Sequence, residues 1–165
     1  MDIRRIHSDE WPAFRDLRLR ALRGEPDAFG STHAEESTRS DDHWIEWVAE
    51  LAEGGPSFGV VAIDDVARLI GMAVGAPHRD HPGEAGLFAM WVEPLARGAG
   101  TGRVLVDAVV GWARSTGFPV VRVQVTESNG AAVRLYTRCG FSDEGTRVPL
   151  REGSDVVTLI MTMDL

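Results

Sequence analysis

The stretch Arg97-Gly98-Ala99-Gly100-Thr101-Gly102 is where residue types and spacing most directly imply chemistry. Closely spaced glycines let backbone approach a ligand. If a helix begins just after them, its free N–H groups and its dipole favour an anion. A phosphate or pyrophosphate is the natural occupant. A P-loop requires Gly-Lys-Ser/Thr, but Gly102 is followed by Arg103. A dinucleotide fingerprint requires a third glycine at position 103 and an early parallel strand–helix–strand unit, and both are missing. The pattern that fits is Arg/Gln-x-x-Gly-x-Gly/Ala, met by Arg97, Gly100 and Gly102 a short way after Pro94. A plain Gly-rich turn is the competing reading.

A second block, Glu127-Ser128-Asn129-Gly130-Ala131-Ala132-Val133-Arg134-Leu135-Tyr136-Thr137-Arg138-Cys139-Gly140-Phe141, pairs an Asn with a Tyr seven residues on and then Gly-Phe. The two blocks are one helix and one strand apart. In this order they resemble the GNAT acetyltransferase superfamily, over about residues 84 to 145. The resemblance implies acetyl-CoA as cosubstrate, with its pyrophosphate on Arg97, Gly98, Ala99, Gly100, Thr101, Gly102 and Arg103. It implies pantetheine pairing with the backbone of Met90, Trp91 and Val92 at a strand bulge, where an N–H can hold the thioester carbonyl. Asn129 would bond pantetheine, and Tyr136, the only tyrosine, would be the general acid for the leaving thiolate. Some histone-acetylating members place a base glutamate where Glu84 stands here.

Each of these residues also has a structural reading. Met90 and Val92 can be core. Tyr136 shares a helix face with Ala132, Leu135 and Cys139, and Asn129 can be a helix cap alone. Glu84 can be a solvent-facing strand end, and so can Glu93 and Glu127. Ribosomal-protein N-terminal acetylases carry a glutamate five residues before the Asn, where this chain has Gln124, which cannot act as a base. The acceptor implied is a small-molecule or peptide amine. It would lie between about Glu25 to Glu36 and Arg147 to Asp155, with Trp44 and Trp47 as packing or pocket residues. A non-catalytic acyl-CoA-binding or regulatory module on the same fold is the alternative function.

The elements that must position these residues follow from periodicity. Ile3 to Ile6 reads as a strand, and a helix starts near Trp11 with Ser8 or Asp9 as cap. Asp27 to Ser40 reads as loop, and a second helix capped by Asp41 or Asp42 carries Trp44, Trp47, Val48 and Leu51. Phe58 to Ile63 and Ala67 to Ala76 form a hairpin turning at Asp64-Asp65. Glu84 to Val92 is a strand, the Gly-rich turn opens a helix with Val104, Leu105, Ala108, Val109 and Trp112 on one face, and Val121, Val123 and Val125 alternate in a strand. Asn129 caps a helix from Ala131 to Cys139, with Gly140 at its C′ position. Phe141 to Val148 and Asp155 to Met163 pair last. The prediction is one α+β domain over residues 1–165, with a mixed, mostly antiparallel sheet of about six to seven strands flanked by about four helices.

Composition fits this. The 165 residues are 44% hydrophobic and 25% charged, which is globular, and the net charge of −8 lacks the basic footprint of a nucleic-acid binder. The single cysteine, Cys139, excludes a disulfide framework, and it reads as core rather than as a nucleophile. His78 and His81 bracket two loop residues without a matching ligand set, so no metal is expected. No apolar run approaches the ~18 residues of a membrane span, and no signal peptide is visible, so the reading is soluble and cytoplasmic. Homodimerisation by strand pairing is compatible with this order of elements.

Overall fold

The structure, a computed structural model, covers residues 1–165. Strands β1 (Asp2–Arg5), β2 (Phe58–Ile63), β3 (Leu69–Pro77), β4 (Ala85–Val92), β5 (Val120–Thr126), β6 (Ser142–Pro149) and β7 (Val157–Asp164) form one sheet in the order β1-β2-β3-β4-β5-β7-β6. Only β4 and β5 run parallel. The helices are α1 (Trp11–Gly24), the short α2 (His33–Ser37), α3 (Asp41–Ala52), α4 (Thr101–Thr116) and α5 (Gly130–Cys139). The predicted fold class is therefore the observed one. No helix is long and apolar enough to cross a membrane.

Alternation along the strands supplies two apolar faces, and each builds a core. On one face Leu105, Val109 and Ala113 of α4 pack against Val60, Ala73, Val121 and Val123, and the cluster extends to Tyr136 and Phe141. On the other, Phe14, Leu17 and Ala21 of α1 meet Trp44, Val48 and Leu51 of α3 over Val61, Met72 and Trp91. Trp44 is fully buried there, with Trp47 at 5.6 Å and Phe14 edge-on to Trp47 at 5.3 Å. Cys139 is half-buried beside the first core, and burial raises its thiol pKa.

Local boundaries differ from the prediction where side chains had other partners. Ser8 and Asp9 lie in a 3-10 turn before α1 and do not cap it. Glu10 closes that turn by accepting from His7 N–H at 2.9 Å, and Arg4 grips the same carboxylate. Ser40, not Asp41 or Asp42, caps α3: its Oγ accepts from His43 N–H at 3.2 Å, and the two aspartates fill the first turn, where the dipole favours them. The predicted loop from Asp27 to Ser40 contains α2, nucleated by reciprocal bonds between Thr32 and Glu35. Thr32-His33-Ala34-Glu35 is a capping-box signature, legible in the sequence. β3 starts at Leu69, because the turn spans Asp64 to Arg68 with Ala67 at φ 62°. β4 starts at Ala85, one residue after Glu84.

The seating of α4 depends on Gly75. A Cβ there would stand 2.6 Å from the Trp112 ring and 2.9 Å from Val109 Cγ1. Gly75→Ala should therefore push α4 off β3 and destabilise the fold by about 1–3 kcal/mol. Urea unfolding followed by circular dichroism checks this, and an unchanged midpoint would show that the helix accommodates a methyl freely.

Candidate active site

The Gly-rich turn lies between β4 and α4. After a 3-10 turn over Pro94–Ala96, Gly98 at φ 87° and Gly100 at φ 85° carry the chain through the left-handed region and into the helix. The first backbone bond of α4 is Val104 N–H to Gly100 C=O at 3.2 Å. The N–H groups of Thr101, Gly102 and Arg103 precede it, at the positive end of a 16-residue helix. An open cavity of about 580 Å³ faces them. Its opposite wall is α5, through Asn129, Ala132, Leu135 and Tyr136, with Arg103 and Arg138 as basic residues on its border. Ala99 is the one residue of the predicted cofactor set that does not line it.

Arg97 does not extend freely into this space. Its Nε donates to Val92 C=O at 2.9 Å, and Nη2 donates to Glu25 Oε1 at 2.7 Å. The other oxygen of Glu25 accepts from the Trp91 indole at 3.1 Å. Glu25 thus ties the end of α1 to β4 and to the turn. Sequence reading had placed it on the acceptor side.

Beside this cavity the sheet opens. β4 and β5 are paired only at Ala85–Val121 and Gly86–Arg122. Beyond that point β4 bulges against β3: Met72 and Val74 face Trp91 and Phe88, and Ala89 sits at φ 50°. A bulge leaves ladder groups unpaired and turns the strand away. Met90, Trp91 and Val92 follow it directly.

On the far side of the opening is a second cavity, of about 700 Å³. Met90 and Tyr136 line both cavities, so the two meet there. The second one has Phe29, Gly30 and Ser31 on one wall, and His43, Glu46 and Trp47 of α3 on another. Arg122, Val123 and Gln124 of β5 form the floor. Of the predicted acceptor walls, residues 28 to 31, Glu36 and Leu150 take part; Asp27 and Glu35 do not. Glu36 is not a free anion. It is buried and holds Arg18 through two bonds, 2.8 and 3.0 Å, while the Arg18 guanidinium covers Phe29 at 4.7 Å. Arg18 Nη1 is buried and has no partner in the protein.

Tyr136 is positioned by α5. Asn129 Oδ1 accepts from Ala132 N–H at 3.1 Å to start that helix, and Gly140 at φ 102° ends it. Phe141 then packs edge-on to the Tyr136 ring at 5.7 Å. Burial raises the phenol pKa above its ordinary value, so Tyr136 is protonated at neutral pH. Glu84 lines neither cavity. It accepts from Arg122 Nε at 2.6 Å, and that bond lowers its pKa. Glu144 holds the other end of Arg122. His78 lines the second cavity, packs 4.9 Å from His81 and has its pKa lowered first by burial.

The Acetyltransferase (GNAT) family profile matches residues 3–141. The chain belongs to the GNAT acetyltransferase family. Among its GNAT relatives, mycothiol acetyltransferase of Salinispora tropica is 31% identical over 138 residues, covering 81% of this chain and 41% of the relative. Mycothiol acetyltransferase of Mycobacterium avium is 32% identical over 124 residues, covering 71% and 38%. The chain thus spans about two fifths of the length of these relatives. Among solved structures, yncA of Salmonella typhimurium with its cofactor acetyl-CoA superposes with a TM-score of 0.81 at 22% identity, over 100% of this chain and 94% of that one. A GNAT phosphinothricin acetyltransferase of Sinorhizobium meliloti in complex with AcCoA gives 0.82 at 18% identity, over 99% and 88%. At these identities the two structures support the GNAT fold.

Within that GNAT fold, the two sequence blocks come together as the two walls of one cavity. Leu135 and Arg138 join them without an expected ligand role, and Glu25, expected on the acceptor side, joins them too. Leu135 and Arg138 sit one residue before and two residues after Tyr136 on an amphipathic helix, so helical spacing was the available signal.

Two outcomes follow. A Cβ at Gly100 meets nothing within 4 Å, so Gly100→Trp should keep the fold, at a cost of about 1–2 kcal/mol for its left-handed backbone. The indole should fill the cavity and weaken CoA binding more than tenfold by calorimetry; unchanged affinity would remove the anion site. Glu84 has a lowered pKa in the fold, so its ion pair adds stability above the unfolded carboxylate pKa, and that stability is lost as pH falls through the folded value. Glu84→Gln should thus lower the melting temperature at neutral pH and flatten its decline on acidification. Melting curves from pH 3 to 7 that keep the wild-type slope would contradict this.

Proposed function

We propose that the protein is an acetyl-CoA-dependent N-acetyltransferase that moves the acetyl group directly to a primary amine in a ternary complex. The observation that carries this reading is the meeting of the two cavities at Met90 and Tyr136. A thioester entering from the α4 side and an amine entering from the α3 side would arrive at one point. Family membership supports the reaction type. The acetyltransferase relatives support a small amine as acceptor.

The roles we assign follow the geometry. The N–H groups at the start of α4, with Arg103 and Arg138 nearby, neutralise the pyrophosphate. The backbone after the bulge, at Met90 to Val92, aligns pantetheine and polarises the thioester carbonyl. Asn129 starts α5, and its side chain also borders the pantetheine path. The neutral amine attacks the carbonyl carbon, and the C–S bond breaks as the C–N bond forms. Tyr136 gives its phenolic proton to the departing sulfur. Burial keeps the phenol protonated at neutral pH, and water returns the donated proton to it after the thiol has left.

Water takes the proton lost by the amine. Glu84 lies outside both cavities, and we give it a positioning role: with Glu144 it fixes Arg122 in the floor of the acceptor cavity. Phe29 and Trp47 favour an acceptor with apolar surface, bound beside the unpaired Arg18 N–H.

Tyr136→Phe should lower turnover about 10²–10⁴-fold and leave CoA affinity within about twofold. Thiol release from acetyl-CoA, measured with a panel of small primary amines, gives the first quantity, and calorimetry with CoA the second. Wild-type turnover in the variant would return Tyr136 to the core.

A further inference from the structure

We propose that Gln124 binds the acceptor amine, its side-chain oxygen accepting the amine N–H at the floor of the acceptor cavity. The inference rests on the acetyltransferase reading above. It starts from the orientation of one amide. Gln124 Nε2 lies 2.8 Å from Thr158 Oγ1 and 3.4 Å from Pro149 C=O. The Thr158 hydroxyl donates its single proton to Val148 C=O at 2.9 Å. In this arrangement it accepts from Gln124. The Pro149 carbonyl is also an acceptor. If the amide were flipped, its oxygen would face the Pro149 carbonyl, and Thr158 could donate to it only by giving up Val148 C=O. Thr158 is fully buried, so its hydroxyl has no water as an alternative partner. The amide is thereby oriented with its nitrogen toward β6 and β7. Oε1 is the only hydrogen-bonding atom of Gln124 left for the cavity.

The location gives that oxygen its use. Gln124 stands on β5 two residues past the end of the parallel pairing with β4, where the sheet has opened. It lines the cavity that Tyr136 and Met90 share with the cofactor side. An amine entering there meets a fixed, neutral acceptor. Accepting one N–H orients the nitrogen and leaves its lone pair for the carbonyl carbon. A carboxylate at the same place would also orient the nitrogen, but it would favour the ammonium form, which cannot attack. The glutamine thus suits a site that binds the amine already deprotonated and leaves proton removal to water.

The test uses two CoA conjugates that differ in one atom: S-(N-methylcarboxamidomethyl)-CoA, whose amide N–H stands for the amine, and its methyl ester, which has oxygen instead. Both are titrated by calorimetry into the full chain, with CoA itself as control. Wild type should bind the amide about five- to tenfold tighter than the ester, as one hydrogen bond gives. Gln124→Met should bind CoA normally and both conjugates within twofold of each other. Thr158→Val, which frees the amide to rotate, should reduce it with Gln124 still present. A wild type without preference, or a Gln124→Met that keeps it, overturns the role of Gln124 alone. A wild type that binds neither CoA nor the conjugates overturns the transferase reading as well.

Discussion

The structure turns on how little of β4 and β5 is paired. Two register positions, Ala85–Val121 and Gly86–Arg122, hold the only parallel contact in the sheet. Had the ladder continued, the sheet would be closed from edge to edge and the two cavities would be sealed from each other. Instead the bulge at Ala89 turns β4 away, and α4 and α5 pack across one side of the opening. Backbone polar groups that would have bonded to the neighbouring strand are left for a ligand.

The elements around the opening brace it from several sides. Glu25 accepts from both Trp91 and Arg97, so the end of α1 holds the far end of β4 and the Gly-rich turn together. The Thr126 hydroxyl donates to Asp27 C=O, tying β5 to the segment after α1. Arg122 holds Glu84 and Glu144 on either side of β5. The buried Arg18–Glu36 pair joins α1 to α2. Removing one partner of such a pair costs more than the pair itself contributes, because a buried charge is left alone. These bonds act as geometric constraints, and the apolar clusters on both faces of the sheet provide the main driving force.

Charge is arranged by the same logic. Although the chain carries a net charge of −8, the acids near the acceptor cavity are partly consumed: Glu36 by Arg18, and Glu50 by the Ser57 hydroxyl at 2.6 Å. The cofactor side keeps Arg103 and Arg138 at its border, where an anionic ligand would lie. Overall charge therefore says little about either cavity. Local pairing decides which groups remain to act.

The sequence by itself determined the family, the α+β class, the order of elements and the place of the Gly-rich turn between a strand and a helix. These rest on local rules: alternation for strands, 3.6-residue spacing for helices, and glycines where the chain must pass through positive φ. It also carried a signal that was passed over, the Thr32–Glu35 capping box of α2. What only the tertiary structure decided is which polar groups are free. Glu84 looked like a base in the sequence, but it is spent on Arg122, 38 residues away. Gln124 looked like a lost base, but Thr158 and Pro149 fix it as an oriented acceptor. Arg97 lines the cavity at the Gly-rich turn, and its guanidinium is shared with Glu25, 72 residues distant. Such pairings join side chains far apart in sequence, and a hydrogen bond depends on distance and angle in space, which local propensity does not encode.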